Sequence, residues 1–379
     1  MSQKNGQFRE TPSLTKGLAG NTDIVLLAEG APAEADWVQQ CLAPKKIVTL
    51  PPSSSVPVYP GALYLYSNVA GLKLDPAFLD QVKAAGGCGL VHVGDEYYRG
   101  DFTAYASFDF VIRMMTFEAV RGQGVFALPL GVSNNLGPVC RTRSSERPLG
   151  WMFAGDWKAD RHVMAQSFKA LPNGLLSLPR SFRGETGISR SEYIKAMASS
   201  AFSPCPSGNV CIETLRPYEA LHLGAIPLLP KRGLSDPYRD VLGRHPLPTF
   251  EDWRSAARFA EDMLAKPAAL DQLQAECLDW WNGYQHDLQQ RLAAFVAEGQ
   301  AGVFRKALTE RFSKGISRTQ RLGALLAQQN LDQTIARARF HAERLTKKLT
   351  TGKELSGRWS LPVQAPNTTA DYDLRPRDK

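Results

Sequence analysis

The sequence predicts an α/β protein whose sheets are mostly parallel and covered on both faces, arranged in two domains. Three observations lead there. Short apolar runs bounded by polar residues, the pattern of buried parallel strands, alternate with stretches of helical composition. The chain has 379 residues, long for one core and suited to two domains of about 150 residues each. The segment Phe202 to Leu229 reads as strand, glycine-containing loop, helix and strand, the unit from which such sheets are made.

Taken in order, residues 1–20 are polar and glycine-rich, a loose leader. A first domain, 21–140, holds candidate strands at Asp23–Ala28, Lys46–Leu50, Leu63–Tyr66, Gly89–Val93, Phe108–Arg113 and Val125–Leu130, with a helix at Asp75–Ala85. Ser133 to Pro148, rich in Asn, Gly, Pro, Ser and Arg and without apolar periodicity, marks the crossing between domains. A second domain, 150–300, repeats the alternation: strands at Trp151–Ala154, Leu175–Leu178, Ala201–Ser203 and Ala225–Leu229, helices at Arg161–Ala170, Arg190–Ser199 and Thr214–Leu223. Its last part, Asp252 to Glu298, reads as a long helical stretch interrupted near Pro267 and Gly283 and able to pack back across both domains. A basic helical extension covers 303–356, and 357–379, with Pro362, Pro366 and Pro376 among polar residues, reads as a flexible tail.

Hydrophobic residues make up 43% and charged residues 22%, the balance of a soluble globular protein rather than a disordered one. No run approaches the roughly 20 apolar residues of a membrane span, and the start Met1-Ser-Gln-Lys-Asn lacks a signal-peptide core, so a cytoplasmic location is expected. Six scattered cysteines without CxxC spacing read as reduced thiols, with no disulfide or structural zinc expected. The net charge of +8 is concentrated: residues 303–358 hold 13 Lys and Arg against four acidic residues, leaving the rest of the chain near −1. Such a segment fits either a solvated helix or a peripheral contact with an anionic membrane, here the inner face. It lacks interleaved aromatics and any known module, so nucleic acid is not an expected partner.

The segment after Phe202 carries chemistry. A loop at a strand's carboxyl end and the start of the next helix face the crevice of an α/β sheet, where backbone N–H groups receive anions. Arg216 stands in the first turn of that helix, the wrong end of the macrodipole for a cation, and a bound anion would remove the conflict. The alternative is a surface helix with Arg216 paired to Glu213 or Glu219.

Cys205-Pro-Ser-Gly-Asn, Glu213-Thr-Leu-Arg216 and Glu219-Ala-Leu-x-x-Gly-Ala-Ile-Pro227 resemble, in order and spacing, the signature of the exostosin-like glycosyltransferases, family forty-seven. His92-Val-Gly-Asp-Glu96, Asp101-Phe and Phe108–Arg113 resemble the N-terminal half of bacterial members and of ribitol xylosyltransferases, and Pro129-Leu-Gly131 and Phe153-Ala-Gly155 fit their domain junction. The likeness spans roughly residues 20 to 300 and is strong only in these islands. It implies a GT-B architecture, two Rossmann-like domains facing across a cleft, the second holding a nucleotide-sugar donor. It also implies Ser207, Gly208, Asn209 and Arg216 at the donor diphosphate and Glu219 at its ribose, with Glu213 beside them. By the same resemblance the chain would transfer a sugar, with inversion, from a donor such as a UDP-sugar to a glycan or lipid-linked acceptor in surface polysaccharide biosynthesis.

Gly155 follows the first strand of the second domain, where a glycine lets backbone approach a ligand, whereas Lys158 and Arg161 read as decoration of the next helix. Arg180 and Arg183 stand at the end of a neighbouring strand, able to reach the same pocket or to remain surface cations. For a catalytic base, Asp95 and Glu96 follow the strand that Gly94 ends, and either would take the acceptor's proton, cap the next segment or bind acceptor hydroxyls. His92, inside an apolar strand, reads as a hydrogen-bonded core histidine. The one Asp-x-Asp, Asp371-Tyr-Asp373, has no strand before it, so no cofactor and no metal are expected, with arginine doing what magnesium would otherwise do. A dehydrogenase is disfavoured because no G-x-G-x-x-G follows an early strand. A catalytically inactive GT-B module that binds nucleotide or glycan is the remaining alternative, since fold alone does not deliver activity.

Overall fold

The computed structural model describes residues 23–27, 32–49, 55–68, 71–156, 160–178, 187–208, 210–231 and 236–327. The first domain is a six-stranded, wholly parallel sheet of order β2-β1-β3-β4-β5-β6. Its strands are β1 (Ile24–Leu26), β2 (Ile47–Thr49), β3 (Leu63–Ser67), β4 (Gly89–Val93), β5 (Phe110–Arg113) and β6 (Val125–Ala127). The central strands carry continuous apolar runs because both faces are covered: every residue of β4 and β5 is buried. Between β1 and β2 lies α1 (Ala35–Cys41) and between β3 and β4 lies α2 (Pro76–Ala85). Sequence punctuates α2 at both ends. The Asp75 carboxylate accepts from the Ala77 and Phe78 amides, Pro76 needs no donor in the first turn, and Gly86 at φ 75° closes the helix.

The second domain is a five-stranded parallel sheet of order β11-β10-β9-β7-β8. It contains β7 (Leu149–Ala154), β8 (Gly174–Ser177), β9 (Ser200–Pro204), β10 (Ile226–Pro230) and β11 (Thr249–Phe250). The helices between them are α3 (Arg161–Phe168), α4 (Arg190–Ala198), α5 (Arg216–His222) and α6 (Arg239–Leu242). Ser189 and Glu192 cap α4 reciprocally. Two doubly wound parallel sheets joined in this way are the GT-B layout the resemblance implies. Each sheet reverses its winding once, between β1 and β3 in the first and between β7 and β9 in the second.

After α7 (Trp253–Leu264), α8 (Pro267–Gln300) runs for 34 residues along both domains. Gly283 does not interrupt it, because one exposed glycine costs about 1 kcal/mol, too little to break a helix held by packing along its length. Trp281 of α8 forms the seam. It stacks on Trp37 of α1 at 5.6 Å and 19°, and lies 5.6 Å from the Tyr218 ring of α5. Trp37 in turn donates from its indole to the Pro129 carbonyl (2.9 Å) and covers Gly131, where no side chain would fit. A single hydrophobic cluster therefore runs from Ile24 in the first sheet to Leu229 in the second.

The chain then returns to the first domain. Leu308 and Phe312 of α9 (Arg305–Phe312) are buried, with Phe312 edge-on to Tyr105 at 5.1 Å, and α10 (Arg318–Ala327) follows. All six cysteines are free thiols, five of them buried, Cys205 and Cys211 included, in line with the sequence reading. Among the described residues no helix is long and apolar enough to cross a membrane.

Asp109 ties the return to the sheet: buried, it accepts from the Cys88 amide (3.0 Å) and pairs with Arg305 through both oxygens. Asp109→Ala is expected to lower stability by about 1–3 kcal/mol, read from urea unfolding, because it strands the buried Cys88 amide and removes the partner of the exposed Arg305.

Candidate functional site

At the point where the second sheet reverses, the carboxyl ends of β7 and β9 lie side by side and leave a crevice between their outgoing loops. Gly155 and Asp156 leave β7, and Cys205 to Gly208 leave β9. Into this crevice come two arginines. Arg216, the first residue of α5, does not pair with Glu213 or Glu219. Its guanidinium lies over the Phe153 ring, 4.2 Å from the centroid, and donates to the Ala154 carbonyl. Arg161, from the first turn of α3, is buried, lies 5.5 Å from the same ring and donates to the Asp156 carbonyl at 3.0 Å.

Gly155 sits between them. A β-carbon there would stand 3.0 Å from Arg216 Nη2 and 3.2 Å from Arg161 Nη1, so the glycine is what lets both guanidiniums close on the strand end. Both Nε atoms lack a hydrogen-bond partner among the described residues. Burial and the Arg216 charge push the Arg161 guanidinium down to about 10. Two buried or half-buried cations at a crevice, each with an Nε unpartnered among the described residues, are the donor type that can hold a bulky anion.

The loop itself behaves differently from its expected role. The Gly208 amide bonds the Cys211 carbonyl (3.0 Å), and the Val210 amide bonds Glu96 (2.9 Å). The Gly208 amide therefore serves the turn, and the charged donors that reach this crevice are the two arginines. Gly208 remains necessary for space: a β-carbon would meet Cys211 O at 2.9 Å and Glu96 Oε1 at 3.0 Å. Asn209, Arg180, Arg183 and Lys158 lie outside the described residues, as do Asp371 and Asp373. With seven residues, α5 contributes only a short dipole of its own.

Facing the loop is the first domain's Gly94–Glu96 turn, where the two acidic residues part. Asp95 points inward. It accepts from the Arg99 (2.8 Å) and Gly100 (3.2 Å) amides and pairs with Arg113 at 3.3 Å, its side chain 0% exposed. Asp95 is thus no base for an acceptor in the cleft, because its lone pairs are taken and solvent does not reach it. Arg113 also contacts His92 Nδ1 and the Tyr105 hydroxyl, and burial together with that guanidinium drives the His92 pKa well below its usual value, the core histidine read from sequence. Glu96 points the other way, half-buried against the 207–210 loop, close enough for its charge to act on Arg161.

Glu213 and Glu219 reach back to the first domain. Glu213 accepts from the Leu130 amide (2.8 Å) and the Tyr218 hydroxyl, and burial raises its pKa to about 7. Glu219 accepts from the Ser133 and Tyr193 hydroxyls and pairs with Arg190 at 3.2 Å. Both are domain clasps in this state, and Glu219 would have to exchange one of these partners to meet a ribose. The sequence reading takes Arg161 for decoration of its helix and does not single out Asp160, Arg190 or Tyr193. Arg161 was detectable, since it is a first-turn cation after a strand-ending glycine, the same signal that marked Arg216. Among the described residues no cluster of metal-ligating side chains occurs.

No protein-family model matches the chain, and no curated protein sequence matches it. Solved structures resemble it loosely. An α1,3-fucosyltransferase aligns with a TM-score of 0.43 and 11% identity over 74% of this chain and 90% of its own. A DNA-modifying β-glucosyltransferase, solved with and without uridine diphosphoglucose, aligns at TM-score 0.37 and 12% identity over 76% and 99%. A T4 phage β-glucosyltransferase aligns at 0.34 and 10% over 76% and 98%. These neighbours are glycosyltransferases.

Glu213 yields a pH test. With its folded pKa above the ordinary 4.5, the native state holds a proton that the unfolded chain has released, so stability falls as pH rises from about 4.5 to about 7. The loss is roughly 3 kcal/mol at about 1.4 kcal/mol per unit. Urea unfolding at pH 5 and pH 8 should show it in the wild type and show most of it gone in Glu213→Gln.

Proposed function

We propose that the protein is a glycosyltransferase of the exostosin-like kind, moving a sugar with inversion from a nucleoside-diphosphate donor, UDP-linked, to a glycan or lipid-linked acceptor in surface polysaccharide biosynthesis. The observation that carries this reading is the Arg161–Arg216 pair over Phe153, a cationic crevice at the switch point of the second sheet. Charge builds on the diphosphate as the glycosidic bond breaks. Guanidiniums already in place stabilise it without reorganisation, and their planar forks match its oxygens. On this reading no metal is required.

Glu96 is the base in this proposal. It stands at the mouth of the same crevice on the opposing domain, while Asp95, locked by Arg113, holds the turn that presents it. Ser207, Gly208 and Asn209 shape the donor loop, and Glu219 meets the ribose after releasing Ser133 or Tyr193. The basic segment 303–356 is proposed to rest on an anionic membrane face, bringing the cleft to a lipid-linked acceptor. Within its described part, Leu322 and Leu326 are exposed one turn apart on α10. One observation favours the inactive binding module instead: Glu96 Oε1 already accepts the Val210 amide.

Turnover separates the two. Purified protein should hydrolyse or transfer from a UDP-sugar, and Glu96→Gln should cut the rate by about a hundredfold or more while UDP affinity is kept. A module would bind UDP and turn nothing over. Arg216→Ala should weaken UDP binding by about 1.5–3 kcal/mol in calorimetry, and unchanged affinity would count against the crevice.

A further inference from the structure

A second recess, of about 410 Å³, shares no residue with the switch-point crevice. One wall is a face of α8 made by Trp280, Gly283, Tyr284, Asp287 and Arg291, and the other is Val241 to Arg244, where α6 ends. The rings are fixed by their polar edges. Trp280 donates to the Arg244 carbonyl (3.1 Å), and Tyr284 donates to the Val241 carbonyl (3.4 Å), tying helix to loop across the recess. Trp280 and Tyr284 stack on each other at 5.3 Å and 27°, and the Arg291 guanidinium lies 5.8 Å from the Tyr284 ring.

Two glycines line the recess for different reasons. Gly243 takes φ 72° to close α6, which its backbone explains. Gly283 is interior to a 34-residue helix, where glycine is unfavourable, and a β-carbon there would meet nothing within 4 Å. Packing does not ask for glycine at 283, and the missing side chain leaves the floor of the recess open. Gly243, Arg244, Gly283, Asp287 and Arg291 are all exposed, so the recess is open along its length, as a polymer passing through would need.

We infer that this recess is a binding site for an acidic saccharide chain, separate from the donor crevice: half-buried Trp280 and the Tyr284 edge for the apolar face of a sugar ring, Arg244 and Arg291 for its carboxylate, and Asp287 for hydroxyls. The saccharide class rests on the reading of the chain as acting on glycans. An open cleft holding two cations against one anion favours a charged chain over a neutral one or over an enclosed mononucleotide.

Short oligogalacturonates and neutral malto-oligosaccharides are to be titrated into the full chain, with tryptophan fluorescence and calorimetry as readouts. Saturable binding of the acidic series is expected, at least about tenfold tighter than the neutral series and weakened by salt. Gly283→Gln fills the floor at an exposed helical position, so its Tm should hold or rise while oligogalacturonate binding is lost and UDP affinity stays. Arg291→Gln should reduce binding about tenfold. No saturable binding, equal binding of the neutral series, or unchanged binding by a folded Gly283→Gln overturns the proposal. Oligogalacturonate binding in a protein that ignores UDP would leave this site standing and remove the transferase reading, whereas UDP binding without oligogalacturonate binding would do the reverse.

Discussion

Two guanidiniums held against one aromatic ring, with no carboxylate pairing Arg216 among the described residues, are a repulsive arrangement, and the architecture around them is organised to keep it. Arg161 is buried, Arg216 stands beside it, and the combination lowers the Arg161 pKa to about 10. Phe153 offers both cations its π face, and Gly155 removes the one β-carbon that would force them apart. The charges of Asp160, Asp156 and Glu96 act on Arg161 against that repulsion, while Glu213 and Glu219 face the opposite domain.

Those acidic residues define the second feature of the molecule. Three of them cross between domains, Glu96 to the Val210 amide, Glu213 to the Leu130 amide and Glu219 to the Ser133 hydroxyl. Each is a polar bond between a carboxyl group and a donor on the other domain. Beneath them the Trp37–Trp281–Tyr218 stack is apolar and non-directional. The two domains are thus joined both by an apolar seam and by polar bonds from three carboxyl groups.

Much of the layout was legible in sequence because it rests on composition. Gly89–Val93, Phe108–Arg113 and Ala225–Leu229 are apolar on both faces and announce parallel strands wherever they fall. Thr249–Phe250, two residues long, and Ala35–Cys41, a short helix without a side-chain cap, carry too little pattern to be read. Arg216 and Gly155 were visible because each violates a local rule, a cation at a helix start and a glycine at a strand end. Direction was not visible. Asp95 and Glu96 are adjacent and chemically alike, and only the left-handed turn at Gly94 and the buried Arg113 decide that one faces the core and the other the cleft. The donor loop likewise offered amides in sequence, while the acceptor of the Gly208 amide, the Cys211 carbonyl, is set by how the turn folds back.

The central claim is that the Arg161–Arg216 pair is a diphosphate site, and calorimetric titration of inorganic pyrophosphate tests it without assuming any sugar, acceptor or turnover. The wild-type chain is expected to bind pyrophosphate more tightly than orthophosphate, and the Arg161→Gln/Arg216→Gln double variant, shown to be folded by its unfolding transition, is expected to bind neither. Equal pyrophosphate binding by both proteins, or none by the wild type, would contradict the account.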